Sequence, residues 1–173
     1  MMKTSFVFDD ILSPDVQQFI QDHERDDVRA LVLRHAAVNG VPISMVAEQI
    51  AGRKKAKEKI PVLAETAGIV YPPGLNLEQS SSQKTALFKN TLAKSITPKD
   101  RCVDLTGGLG IDSFFFSKLF REVQYIEPNE KLLQMVRHNH KQLGAHNIIH
   151  QLNTAEQFLS EASSNQQKFD FGT

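Results

Sequence analysis

One stretch of the sequence has the residue types and spacing for cofactor chemistry: Arg101-Cys-Val-Asp-Leu-Thr-Gly-Gly-Leu-Gly-Ile-Asp112. Its first part is mostly apolar and predicts a short buried strand that ends at Asp104. Gly107, Gly108 and Gly110 then provide a backbone that can turn sharply against a ligand. The following residues, 111 to 120, have the pattern of a helix, and its N-terminal N–H groups would lie beside that turn.

A second apolar strand with an acidic end follows in Val123-Gln-Tyr-Ile-Glu-Pro128. Glu127 comes 17 residues after Gly110. This is close to the separation of about 20 residues at which a carboxylate at the tip of the second strand accepts hydrogen bonds from ribose hydroxyls. The two stretches together predict a nucleoside cofactor.

Two classes of nucleoside cofactor fit this arrangement, and the details favour one of them. The dinucleotide fingerprint G-x-G-x-x-G, started at Gly108, has Ser113 in the place of its third glycine. A carboxylate at Asp104 would repel a pyrophosphate, whereas it can accept hydrogen bonds from the ammonium group of a methionine moiety. S-adenosylmethionine is therefore favoured, and a nicotinamide-dependent oxidoreductase is the weaker alternative.

The first stretch resembles motif I of the class I S-adenosylmethionine-dependent methyltransferases, Asp-x-Gly-x-Gly-x-Gly, with Thr106 where the first glycine usually stands. Tyr-Ile-Glu-Pro resembles motif II of the same enzymes. Together with the preceding Glu78-Gln-Ser-Ser-Ser, the order of motifs is similar to that of a poorly characterised bacterial branch. Its members have a helical N-terminal region and usually continue into a THUMP-like, RNA-binding-type domain. The resemblance implies a methyltransferase that acts on RNA.

The resemblance also implies which residues bind the cofactor. They are Asp104, Thr106, Gly107, Gly108, Gly110, Glu127, Pro128, Asn153 and Thr154. The last two follow a predicted third strand over residues 147–152, where the family often has an acid that contacts the amino group of adenine. The family's acceptor-binding turn follows its fourth strand, so catalytic residues are expected beyond Thr173 and stay unknown. The chain is accordingly expected to bind cofactor without catalysis, and a non-catalytic nucleotide- or RNA-binding module is an alternative.

The predicted fold is α/β, with a helical N-terminal domain over residues 1–76 and the N-terminal part of a Rossmann-like methyltransferase core over 77–173. The boundary is placed at Tyr71-Pro-Pro-Gly-Leu-Asn76, where consecutive prolines break a helix. The core is expected to contain a parallel sheet with strands one to four only. Phe169-Asp-Phe171 would open the fourth strand, whose exposed edge favours self-association.

Finer predictions concern individual helix ends. In the N-terminal domain, Asn39-Gly40 is expected to end the second of three helices. At the start of the core, Ser80 and Gln83 fit a capping box.

Overall composition limits the possible partners. The chain of 173 residues has 20 basic and 20 acidic residues, so no global field draws it to nucleic acid or a membrane. The local basic run from residue 53 to 59 provides a candidate RNA contact through Arg53, Lys54, Lys55 and Lys57, with a solvated helix face as the alternative.

Cysteine and histidine usage gives two further expectations. The single cysteine, Cys102, and the absence of a recognisable signal peptide or membrane span indicate a cytoplasmic protein. The histidines do not have the spacing of a metal site, and they are interpreted as surface residues; they are His138, His140, His146 and His150.

Overall fold

The computed structural model describes residues 6–72 and 74–173. The chain forms two compact units, one up to Glu78 and one from Gln79 onward. Helix Gly74–Gln79 spans this division, and the predicted boundary after residue 76 falls within the same helix.

The described part of the first unit is mainly helical. Its elements are α1 (Phe6–Ile11), α2 (Pro14–Asp22), α3 (Val28–Arg34), β1 (Ala37–Val38), β2 (Val41–Pro42), α4 (Ile43–Lys59), α5 (Pro61–Glu65) and α6 (Gly74–Gln79). Buried aliphatic side chains of α2, α3, β2 and α4 form its core, among them Val16, Leu31, Val41, Val46 and Ile50. The apolar stripes from which these helices were predicted thus face a common interior.

The prediction for Asn39-Gly40 was wrong. Helix α3 ends at Arg34, and the dipeptide forms the turn of a hairpin in which β1 and β2 pair antiparallel. Asn39 has φ of 46° and Gly40 has φ of 82°. Asn-Gly is the pair that favours a two-residue turn with positive φ at both positions, and such a turn closes a hairpin as readily as a single positive φ ends a helix.

The second unit alternates helices and strands after the remainder of α6. Its elements are α7 (Gln83–Ala93), β3 (Arg101–Asp104), α8 (Ile111–Phe116), β4 (Glu122–Glu127), α9 (Glu130–Gln142), β5 (Ile148–Leu152), α10 (Ala155–Ser164) and β6 (Phe171–Gly172). The N-cap of α7 is Ser82, whose hydroxyl accepts a hydrogen bond from Thr85 N, so the predicted cap at Ser80 was wrong by two residues.

The four strands of the second unit form one parallel sheet in the order β5-β4-β3-β6. The order of the sheet reverses between β3 and β6, because β4 and β5 lie on one side of β3 and the later β6 lies on the other. In open α/β sheets of this kind, ligands bind at the carboxyl ends of the strands near such a reversal. Strand β6 is short: Phe171 and Gly172 lie opposite Cys102 and Val103, and the backbone N–H groups of Asp170 and Thr173 donate hydrogen bonds to β3. Self-association through its edge stays a prediction.

Helices cover both faces of the sheet. Ile126 and Val103 pack with Phe158 and Ala162 of α10 on one face. Tyr125 points to the opposite face, since successive strand residues alternate, and its ring packs edge-on against His140 of α9. Among the described residues, no helix combines the length and apolar character needed to cross a membrane.

Candidate functional site

The predicted ligand residues meet at the carboxyl edge of the sheet. Asp104 is the last residue of β3, Glu127 is the last residue of β4, and Asn153 directly follows β5. Because the strands are parallel, these ends lie along one edge, and the glycine turn of residues 106–110 follows Asp104 there. A direct hydrogen bond joins the turn to the end of β4, where Gly108 N donates to Glu127 Oε2 at 3.0 Å.

The glycines of the turn are required for different reasons. A Cβ on Gly107 would lie 2.4 Å from the backbone oxygen of Ile126 and 2.9 Å from the Tyr125 ring, so any side chain would collide with strand β4. Gly108 and Gly110 have φ of 54° and 66°, a region that side chains disfavour. The turn therefore lies against the sheet at Gly107 and adopts left-handed backbone on either side of Leu109.

Two buried side chains contact carbonyl oxygens of this turn. Tyr125 Oη–H donates to Gly108 O at 2.6 Å, and His140 Nε2 lies 2.8 Å from Gly110 O. Tyr125 is fully buried and His140 is 1% exposed. The interpretation of His140 as a surface residue was wrong, because its helix faces the sheet at that position. Sequence analysis also missed Tyr125, although it lies two residues before Glu127.

Asp104 is a buried carboxylate with its hydrogen-bond acceptors largely used. It is 2% exposed. Its Oδ2 accepts from Ser113 Oγ–H at 2.7 Å, and its Oδ1 accepts from Thr106 N at 3.2 Å and from Thr106 Oγ1–H at 3.3 Å. Burial raises the pKa of the Asp104 carboxyl to about 6, while the Ser113 hydrogen bond acts in the opposite direction. Perturbed carboxylates of this kind concentrate at functional sites.

These bonds explain two departures that the sequence showed. Ser113 stands where a dinucleotide fingerprint has its third glycine, and its hydroxyl is fully buried against Asp104. Thr106 replaces the first glycine of motif I, and both its backbone N–H and its hydroxyl bind the same carboxylate. At each position, the hydroxyl donates a hydrogen bond to Asp104 that a glycine could not provide.

A second acid lies close to Asp104. Asp112, in the first turn of α8, accepts at Oδ2 from Lys89 Nζ at 2.6 Å and from Ser81 Oγ–H at 2.8 Å. Its Oδ1 is buried and has no partner among the described residues. Asp112 raises the pKa of Asp104, and Lys89 lowers it, as expected of charges at short range. With one ammonium for two carboxylates, the cluster attracts cations when both acids are ionised.

Glu127 joins the turn to the next helix. It is 7% exposed. Oε2 accepts from Gly108 N, and Oε1 accepts from Asn129 N at 2.8 Å. A carboxylate has about four lone-pair positions, so both oxygens retain capacity for hydroxyl donors. Pro128, which follows directly, is exposed at the same edge.

Asn153 and Thr154 lie at this edge with local hydrogen bonds. Thr154 caps α10 in a complete capping box with Gln157. Asn153 Oδ1 accepts from Thr154 N at 2.9 Å, and its Nδ2 donates to Glu161 Oε2 at 3.3 Å. The structure thus gives Thr154 a helix-capping role, which the sequence analysis did not assign to it.

The predicted RNA-contacting cations lie on α4 of the first unit, and each has an ion-pair or hydrogen-bond partner within that unit. Arg53 Nε is 3.4 Å from Glu24 Oε2, Lys57 pairs with the same carboxylate, and Lys55 pairs with Glu78. Lys54 donates to the backbone oxygen of Asp26. The run is thus tied to neighbouring groups of its own unit.

Comparisons with known proteins bear on the fold. The sequence matches no family model, and it matches none of the curated proteins. Its structure is similar to the crystal structure of a "putative methyltransferase" from Porphyromonas gingivalis W83, with a TM-score of 0.70 and 24% sequence identity. The similarity covers 95% of this chain and 39% of that one, so the chain spans well under half of that protein's length. The two chains share a fold over this region.

Proposed function

We propose that the second unit binds S-adenosylmethionine at the carboxyl edge of its sheet and belongs to a methyltransferase. The observation that carries the proposal is the buried Asp104 beside the glycine turn, with Glu127 at the neighbouring strand end. The similarity to a protein named as a methyltransferase supports the same conclusion.

The charge at this edge matches the proposed cofactor. The methionine moiety presents an ammonium group, which the negative charges of an ionised Asp104 and of the nearby Asp112 attract. The same charges oppose the pyrophosphate of a dinucleotide. The open position that a dinucleotide would require at the third glycine is absent, since Ser113 fills it and binds Asp104.

The remaining residues divide between the other parts of the cofactor. Glu127 accepts hydrogen bonds from the ribose hydroxyls, Gly107 lets the turn lie close to the sheet, and Asn153 and Thr154 lie where the adenine is expected. When bound, the cofactor supplies an activated methyl group on its sulfonium. The protein's part is to bind and orient it. RNA as the methyl acceptor is supported by the resemblance of the motifs.

Calorimetric titration with S-adenosylmethionine, S-adenosylhomocysteine and NAD tests the proposal. We expect the two adenosyl compounds to bind and NAD not to bind. Asp104→Asn should weaken binding about 10- to 100-fold, the effect of removing a charged partner of the ammonium group. Asp100→Asn is the matched control, because Asp100 is exposed and lies just before the opposite end of β3. NAD binding tighter than that of S-adenosylhomocysteine would overturn the proposal.

A further inference from the structure

Two histidines from separate elements are connected in series to the glycine turn. His140 Nε2 lies 2.8 Å from Gly110 O, and His140 Nδ1 lies 2.8 Å from His150 Nε2. A carbonyl oxygen can only accept, so Nε2 of His140 carries the hydrogen. A neutral imidazole has one N–H, which leaves His140 Nδ1 as an acceptor and makes His150 Nε2 the donor to it.

The surroundings keep both rings neutral near pH 7. Burial lowers the pKa of His140 to about 3 and that of His150 to about 4. His150 further lowers the pKa of His140, and Arg137 lowers that of His150, while the backbone of Ile148 raises the latter without offsetting burial. Tyr125 packs against both rings, with ring centroids 5.8 Å from His140 and 5.3 Å from His150. A neutral His150 has a single N–H, and the 2.8 Å contact between its Nε2 and His140 Nδ1 assigns that N–H to His140 rather than to the Ile148 carbonyl.

The Gly110 carbonyl at the end of this series is an important point of the turn. It also accepts from Phe114 N at 2.9 Å, which is the first backbone hydrogen bond of α8. The contact with the imidazole is close, because a Cβ on Gly110 would lie 2.6 Å from His140 Nε2. A shift of the His140 ring would therefore move both the end of the turn and the start of α8.

We infer that His150 and His140 form a neutral relay with ordered protons that fixes the glycine turn, and that both are positioning residues for the ligand site. The part of this inference that concerns ligand affinity rests on the proposed function. The relay itself is a property of the protein without ligand. Its distinctive feature is that the Gly110 carbonyl sets the tautomer of His140, and the N–H of His150 then satisfies the Nδ1 that this tautomer leaves as an acceptor.

Paired substitutions at His150 separate positioning from general packing. His150→Gln keeps an N–H donor for His140 Nδ1, whereas His150→Leu removes it. We expect His150→Leu to weaken S-adenosylhomocysteine binding about fivefold to tenfold, the effect of losing one buried hydrogen bond, and His150→Gln to bind like the parent. His146→Leu is the control, since His146 is exposed. Equal binding by both His150 variants would overturn the positioning role.

Nitrogen NMR of the histidine rings in the free protein tests the relay independently of any ligand. His140 should be the Nε2–H tautomer at pH 7 and should stay neutral on acidification to about pH 4. In His150→Leu, the amide of Phe114 should exchange faster than in His150→Gln. An Nδ1–H tautomer, or titration of His140 near pH 6.5, would refute the relay. If the parent fails to bind S-adenosylhomocysteine while the tautomer and exchange results hold, the proposed function fails and the relay stands.

Discussion

Helix α4 and the carboxyl edge of the sheet differ in where their charged groups lie: the lysines of α4 are exposed, whereas Asp104 at the sheet edge is buried. On α4, Lys55 and Lys57 keep about half of their side-chain surface exposed, at 46% and 54%, and each has a carboxylate partner. Exposed pairs of this kind contribute little to stability, because water already solvates both charges. Their removal should leave the fold almost unchanged.

At the sheet edge, Asp104 is withdrawn from water, and no cation of the described part of the chain is in direct contact with it. Its hydrogen bonds come from neutral groups, Ser113 and Thr106, and Lys89 binds the neighbouring Asp112 instead. An ionised carboxylate in this position lowers the stability of the folded protein. A carboxylate that burial destabilises is therefore a better indicator of a site than a larger number of exposed charges with partners.

The largest expected effect comes from adding a side chain at Gly107, where the glycine turn lies directly against strand β4. Gly107→Ala puts a methyl group 2.4 Å from the Ile126 backbone oxygen, which cannot move without displacing β4. We expect a loss of about 3 kcal/mol in the free energy of unfolding, as in severe overpacking, and loss of S-adenosylhomocysteine binding. Chemical denaturation and calorimetry measure the two effects.

Gly144→Ala is the control for Gly107→Ala. Gly144 has φ of 71° and nothing within 4 Å of an added Cβ. Gly144→Ala should lower the free energy of unfolding by about 1 kcal/mol through backbone strain alone and leave ligand affinity unchanged. If Gly107→Ala were no more harmful than this control, the close approach of the turn to β4 would not be essential.

Asp104→Asn should make the protein more stable while it weakens ligand binding. Asparagine keeps the size and can pair with Thr106 and Ser113, since a hydroxyl both donates and accepts. The difference between a pKa of about 6 and the ordinary aspartate value corresponds to roughly 3 kcal/mol. This is the upper limit of the gain expected at pH 7.

The gain should depend on pH in a definite direction. The pKa of Asp104 is raised on folding, so the parent has the full contribution of this group below about pH 4 and loses it as pH rises through about 6. The parent and Asp104→Asn should thus differ least at about pH 4 and below, diverge as pH rises from about 4 to about 6, and differ by a constant amount at higher pH. Denaturation across that range measures the divergence, and parallel curves would contradict the assignment of a raised pKa.

Ligand affinity should show the same titration. If the ammonium group binds the ionised carboxylate, only about a tenth of the protein is competent at pH 5, and affinity should be about tenfold lower than at pH 7.5. Asp104→Asn should bind weakly and without this pH dependence. If the affinity of the parent does not change between these pH values, the charge of Asp104 does not contribute to binding of the ammonium group.

The sequence predicted the part of this edge that depends on local pattern. The strand before Asp104, the glycine turn and the acid-ended strand at Glu127 follow from apolar runs and glycine spacing, and the structure contains a parallel sheet at these positions. Residues 169–171 were expected to open a further strand, and β6 pairs beside β3. Short-range patterns sufficed for these features because each is encoded within a few neighbouring residues.

The sequence did not predict contacts between distant segments. His140 and Gly110 are 30 residues apart, and although the spacing from Leu133 and Val136 places His140 on the apolar face of α9, that spacing does not predict which group the ring contacts. Lys89 and Asp112 meet across 23 residues for the same reason. Asn39-Gly40 failed differently, since one dipeptide suits both a helix end and a hairpin turn, and the pairing of β1 with β2 decides between them.

The smallest expected effect concerns the cations of α4 and tests the proposal that they bind RNA. A log-log slope of about 0.7 per bound phosphate is expected for single-stranded RNA, so the four residues together would contribute up to about 3. Replacing Arg53, Lys54, Lys55 and Lys57 by glutamine should lower the slope in proportion to the number of phosphates that these four side chains bind. Thermal stability should hardly change, because these groups bind partners near the surface. Fluorescence anisotropy at several salt concentrations measures the slope. If the parent and the variant have equal slopes, these cations serve only their partners in the first unit, and any RNA contact must lie elsewhere.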